Sequence, residues 1–327
     1  MKSYASISLD LDNKWAYLKA QGDPLWESYP SYLPAIVPRI LDILEERNQK
    51  ITFFIVGQDA EHEVNDEALK SIASAGHEIA NHSYNHEPWL HLYGPKKLAE
   101  EFDKAESAIF KVTGEKTVGF RGPGFSLSDE VLRTLMRRGY QYDGTSFPTF
   151  LGPVARAYYF WSAGLSKNQK EDRKELFGRF VDGFKTLSPY RFSWRGKSIV
   201  EMPVTTMPIF RLPIHGSYLL FLAQYSTMLA KFYLRMALKL CKLTKVEPHF
   251  LLHPLDFMGA EDDKEMAFFP TMDEPSSKKV KLITECIDIL ISEFKVVTMR
   301  DHVIHANRAE LLDSTISVVP EGARAEA

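Results

Sequence analysis

The sequence is poor in cysteine, with only Cys241 and Cys286 among 327 residues, each inside an apolar, helix-like run. That argues against a disulfide framework and fits a reducing compartment. No run of ~18 uncharged apolar residues occurs, so no membrane-spanning helix is expected. The first residues, MKSYASISLDLD, lack the roughly 7–15-residue apolar segment of a secretion signal, and the expected location is cytoplasmic. Charge of either sign is not in excess: 40 Lys and Arg face 43 Asp and Glu, which leaves no broad basic surface for nucleic acid. Internal repeats, low-complexity stretches and Pro/Gly/Ser-rich linkers are also missing. The chain therefore reads as one elaborated domain over residues 1–306, with an insertion at about 150–247 and a polar tail at 307–327.

What is present is a β–α rhythm. Tyr4–Leu9 and Ile51–Val56 read as strands, the second a continuous apolar run suited to full burial. Short strands follow at His77–Ala80, Val118–Phe120 and Tyr140–Asp143. Helical spacing marks Leu33–Arg47, Asp66–Ala75, Lys96–Thr113 (ending at Gly114) and Ser128–Arg138, with Ser128 as N-cap. Such alternation predicts a parallel sheet with crossover helices, as an open sheet or a closed barrel. After Thr149 the period is lost until Ser198–Thr205, a strand. A helical stretch at Ser217–Leu243, a strand at Phe250–His253, a helix at Ser277–Phe294 and a last strand at Phe294–Thr298 complete the pattern.

Ionisable residues gather at the C-terminal ends of the predicted strands, where parallel α/β folds build their sites. In SLDLD, Asp10 and Asp12 point the same way, because side chains alternate along a strand. A cation would relieve two such carboxylates; a turn or helix cap would also place them. In ANHSYNHEPW, His82 and His86 are four apart, and on a helical turn they would converge on one ion. Taken alone, the pair is equally what a surface turn carries. Arg121 opens the Gly/Pro-rich loop RGPGF, which permits close backbone approach to a ligand. Asp143 and His253 close two further strands. Five coincidences at successive strand ends outweigh any one of them.

In order, SLDLD, GHEIANHSYNH, FRGPGF, YQYDGTSF and FLLHP resemble the five motifs of the polysaccharide deacetylase family (carbohydrate esterase family 4, NodB-like). The first motif is closest to the Asp-x-Asp branch of peptidoglycan deacetylase-like proteins. The resemblance covers roughly residues 4–149 and 247–300. It implies an α/β fold, a distorted (β/α)7-type barrel, and metal-dependent removal of an N-acetyl group from an amino sugar by metal-bound water. It further implies Asp10 as general base, with Asp12, His82 and His86 holding one divalent ion. That ion is Zn²⁺ by default, with Co²⁺, Ni²⁺ or Mn²⁺ able to serve. Arg121 would orient and charge-balance Asp10, and His253 would be the general acid, oriented by Asp143. Gly124 and Phe125 would line the sugar-facing wall; Arg211 and His215 of the insertion, outside the resemblance, either contact substrate at the site's mouth or sit on a surface loop. FRGPGF departs from the usual loop, and Pro254 stands where an acidic residue is common.

The expected substrate is a soluble or lipid-linked N-acetylated sugar. The alternatives are hydrolysis of a cyclic ureide, imide or formamide on the same scaffold, or an inactive glycan-binding barrel. The stretch 218–243 carries a wide apolar stripe with cations and no acid. It reads as a core helix with a solvated basic face, or as an interfacial helix in peripheral contact with a membrane. Homo-oligomer formation stays open.

Overall fold

The computed structural model describes residues 2–152, 180–308 and 311–315. Most of the irregular aromatic and basic stretch after Thr149 (153–179) lies outside the described residues, as do 309–310 and 316–327 of the tail. Among the described residues, ten strands form one sheet: β1 (Tyr4–Asp10), β2 (Thr52–Ile55), β3 (Glu78–Asn81), β4 (Gly119–Phe120), β5 (Tyr142–Asp143), β6 (Tyr190–Trp194), β7 (Lys197–Glu201), β8 (His249–Leu252), β9 (Lys295–Val297) and β10 (Leu312–Thr315). Their order is β10-β6-β7-β5-β4-β3-β2-β1-β8, with β9 against the start of β1. Every pairing is parallel except the β6–β7 hairpin. The result is an α/β half-barrel.

β1 and β2 are buried almost throughout, as strands covered on both faces must be. Between them run α1 (Lys14–Gln21) and α2 (Leu33–Glu45), which buries Ile36, Val37, Ile40 and Leu44 against the sheet. α3 (Gly57–Glu61) and α4 (Asp66–Ser74) lead to β3. α5 (Pro95–Thr113) buries Leu98, Phe102, Ala105 and Ile109 and ends at Gly114, φ 72°, a left-handed stop that favours glycine. In α6 (Asp129–Arg138) the Ser128 side chain accepts from the Val131 N–H, the expected N-cap. The long helix expected from Ser217 is two helices, α7 (Gly216–Tyr225) and α8 (Thr227–Leu243). Ser226, extended at φ −167°, breaks the run, and its hydroxyl caps α8 at Leu229. α9 (Ser276–Glu293) and α10 (Met299–Ala306) follow.

Two expectations change. The segment read as an insertion supplies β6 and β7, and β7 pairs with β5 inside the sheet. The tail read as polar and loose contributes β10, whose backbone adds to β6.

Strand register positions the site. Asp10 pairs with Phe54, Ile55 with Asn81, Asn81 with Phe120, Phe120 with Asp143, and Asp143 with Glu201. Residues far apart in sequence thus reach one rim at the carboxyl ends of the strands. On the other side of β1, Leu9 pairs with Leu252, so Asp10 and His253 each follow directly on paired residues.

Candidate metal centre and active site

Asp12, His82 and His86 each offer one ligand atom, all within 4.8 Å of one another. His86 Nε2 lies 3.0 Å, and His82 Nε2 3.3 Å, from Asp12 Oδ1. Two ligands each ~2.0–2.1 Å from an ion in tetrahedral array stand roughly 3.3 Å apart, so the spacing suits one small divalent ion. His82 Nδ1 is 2.8 Å from the Arg121 carbonyl, which fixes Nδ1 as donor and turns Nε2 to the carboxylates. Burial opposes the charge on Asp12. The charge of His86, then hydrogen bonds from His82 and His86, outweigh burial and hold Asp12 well below the usual carboxylate range. Burial likewise opposes a charge on His82, yet Asp10 and then Asp12 raise its pKa.

The histidines do not converge through a helical turn, as their spacing suggested. Residues 82–87 form a bent loop in which Ser83 (φ 65°) and His86 (φ 51°) are left-handed. Glu101 of α5 accepts from the N–H groups of Tyr84 and Asn85 and from the Asn85 side chain. Asn81 Oδ1 accepts from the Ser83 N–H, and the Ser83 hydroxyl from the His86 N–H. These bonds fix a geometry the backbone would otherwise resist.

Asp10 adjoins the triad, its Oδ2 4.0 Å from His82 Nε2. Its Oδ1 takes the Arg121 guanidinium. Arg121 is fully buried and spends every donor. Nε bonds the Gly144 carbonyl at 2.8 Å, Nη1 bonds Ser8 and Asp10, and Nη2 meets His249 Nε2 at 2.9 Å and the Met299 sulfur. Phe54 lies 4.2 Å beneath the guanidinium. His249 serves as an acceptor here: burial, then the Arg121 charge, push its pKa well down and keep it neutral.

Asp143 does not orient His253. It accepts from the Thr145 hydroxyl and lies beside buried Glu201, whose carboxyl is pushed well up by burial and then by Asp143. The physical reason is register: β5 faces β7, which brings Glu201 to Asp143. The carboxylate beside His253 is Asp256, which accepts from the His253 N–H at 2.9 Å and from the Ser217 hydroxyl at 2.7 Å. Ser217 Oγ lies 3.3 Å from His253 Nδ1. A Cβ on Gly216 would stand 2.4 Å from Asp256 Oδ2, so only glycine permits this approach.

The expected wall is partly assembled. Gly124 (φ 59°) turns the loop, and Phe125 stacks on Phe147 at 4.7 Å. Phe147 meets His215 at 5.8 Å, and His215 meets His253 at 6.4 Å. Burial and then His253 push the His215 pKa down. Arg211, left-handed at φ 58°, is depressed by burial alone, and its Nη1 has no hydrogen-bond partner. No contact joins the Arg211 side chain to the triad.

Sequence reading missed Asp256, Glu201, Glu101 and His249. Asp256 had a signal, an acid three residues past His253 in the spacing of a capping box. Glu101 had none.

Residues 24–142 match the polysaccharide deacetylase family. The chain is 32% identical over 113 residues to peptidoglycan-N-acetylmuramic acid deacetylase PdaA of Bacillus subtilis, covering 34% of this chain and 41% of that protein. It is 33% identical over 125 residues to peptidoglycan deacetylase-like protein FGM2 of Gibberella zeae, covering 38% of this chain and 35% of that one. It thus spans less than half the length of these curated relatives. A putative polysaccharide deacetylase from Mycobacterium smegmatis superposes with a TM-score of 0.60 at 21% identity, over 98% of this chain and 95% of that one. PuuE allantoinase does so at 0.58 and 14%, over 94% and 91%. At these identities the two structures speak to fold alone. The family match is confined to residues 24–142, and the superposition shows that the α/β half-barrel is the NodB-like fold. His82, His86 and Arg121 lie within the matched residues; Asp10, Asp12, Asp143 and His253 lie outside them.

Proposed function

We propose that this protein is a metal-dependent hydrolase that removes the N-acetyl group of an amino sugar. The observation that carries the reading is the convergence of Asp12, His82 and His86 beside the Asp10–Arg121 pair. The donor set fits a divalent ion, Zn²⁺ by its nitrogen and oxygen ligands, with Co²⁺, Ni²⁺ or Mn²⁺ as substitutes. Bound by those three residues, it would polarise the amide carbonyl and acidify a water molecule.

The chain's own groups supply the proton chemistry. Arg121 occupies Asp10 Oδ1 and leaves Oδ2 turned toward the triad, where it takes the proton of the attacking water. Oxygen adds to the carbonyl carbon, the C–N bond breaks, and His253 protonates the departing amine nitrogen. Ser217 and Asp256 hold His253 at the rim for that transfer. Gly124, Phe125 and Phe147 offer a flat apolar face for a sugar ring, with His215 beyond it and Arg211 on the same loop. Two buried free thiols suit a reducing setting, and we place the reaction in the cytoplasm.

The test is acetate release from N-acetylated mono- and oligosaccharides by Zn²⁺-loaded protein, with Asp10→Asn as control. Acetate from wild type and none from the variant supports the reading. Ring opening of a cyclic ureide, with every N-acetyl sugar untouched, would overturn it.

A further inference from the structure

The outer face of α7 and α8 is apolar, exposed and cation-flanked. Tyr225 is 74% exposed, Met228 78%, Phe232 61%, Leu229 46% and Met236 40%. On α8, Ala230, Leu234, Ala237, Leu238 and Cys241 fill the buried side, so the core is satisfied without the outer stripe. Soluble surfaces carry single exposed apolar residues, whereas a contiguous stripe marks a docking face. Helical spacing sets Lys239 within the stripe and Arg235 at its edge. From Tyr218 to Val246 there are five cations and no acid. Lys231 and Lys242 reach Glu285 and Glu293 of α9, while Lys239 and Lys245 have no ion pair among the described residues.

The face leads to the site. Rings run from His253 to His215 (6.4 Å), Tyr218 (6.3 Å), Phe221 (6.3 Å) and Tyr225 (5.7 Å). The first of them stands at the strand rim and the last on the exposed stripe. Phe210, in the loop before α7, is also exposed. No described helix is long and apolar enough to cross a membrane.

We infer that the outer face of α7 and α8 lies on an anionic membrane surface, which brings the site to N-acetylated sugars carried on a lipid. An apolar stripe with basic flanks is what an interfacial helix needs. A second copy of the chain fits less well, since two-fold pairing would set Arg235 and Lys239 against their own kind. The lipid-linked substrate rests on the proposed deacetylation; the docking does not.

The experiment is vesicle co-sedimentation of the full chain, without substrate. Vesicles of phosphatidylcholine alone are compared with vesicles one-third phosphatidylglycerol, at low and high salt. Wild type should bind the anionic vesicles roughly tenfold or more tighter than the neutral ones, with the gap closing in salt. Met228→Ser with Phe232→Ser should weaken that binding roughly tenfold or more. Circular dichroism and acetate release from a soluble sugar should stay as in wild type. Wild type left in the supernatant with anionic vesicles at low salt would overturn the inference. So would equal binding to both vesicle types, or a solution dimer that the same variant splits. Vesicle binding by a protein that releases no acetate would keep the docking and remove the sugar reading.

Discussion

The strand rim and the outer face of α7–α8 solve opposite problems. At the rim, charge is buried and matched: Arg121 has no exposure, and each of its donors has a partner. On the outer face, apolar side chains remain in water, and Lys239 and Lys245 have no ion pair among the described residues. Burying charge costs several kcal/mol unless partners repay it, so the rim is intolerant of change. Exposed apolar surface costs the folded state little and is available to a partner. On the proposed reading, chemistry belongs to the rim and recognition to α7 and α8.

The largest expected break in this contrast is Arg121→Ala. It strands Asp10 and removes the donors for Ser8, His249 and Gly144, and should cost about 3–5 kcal/mol in denaturant unfolding. Next comes His253→Ala, expected to lower kcat by about 10²–10⁴-fold with the fold intact, measured as acetate release. Asp256→Asn should lose less, because the amide oxygen can still accept from the His253 N–H while the amide NH2 takes the place of Oδ1 and can donate to the Ser217 hydroxyl. A third, gentler probe is pH. The raised pKa of His82 means that a proton competes with metal, and binding the ion releases it. Zn²⁺ affinity should therefore fall as pH falls, by up to about tenfold per unit for each proton released, by titration calorimetry. The smallest effect belongs to the outer face: Phe232→Ser should change stability by no more than about 0.5 kcal/mol. An equal loss for Phe232→Ser and Arg121→Ala would erase the contrast.

Much of the rim was legible because it is local. Asp10 and Asp12 alternate on a strand end, and Arg121 follows a strand directly. What stayed hidden depends on long-range pairing. Glu201 meets Asp143 only because β7 joins the sheet beside β5, which no local period reveals. The loop at 82–87 takes its shape from Glu101 on another helix, so His82 and His86 come together by a geometry other than the helical turn that i, i+4 spacing suggests. Ser226 was readable as a cap inside an apolar run, but the run's amphipathic pattern continued through it. Pattern left core and interface open for 218–243, since both need the same stripe; the structure buries Leu234 and Leu238 and exposes Met228 and Phe232.

The proposed metal centre requires that Asp12, His82 and His86 together hold one ion. It is tested most directly by elemental analysis after Zn²⁺ loading and desalting, on wild type and on His82→Ala with His86→Ala. The account predicts a single divalent ion per chain in wild type and none in the double variant, with circular dichroism unchanged. Equal metal in both proteins, or none in wild type after loading with Zn²⁺, Co²⁺, Ni²⁺ and Mn²⁺, would contradict it.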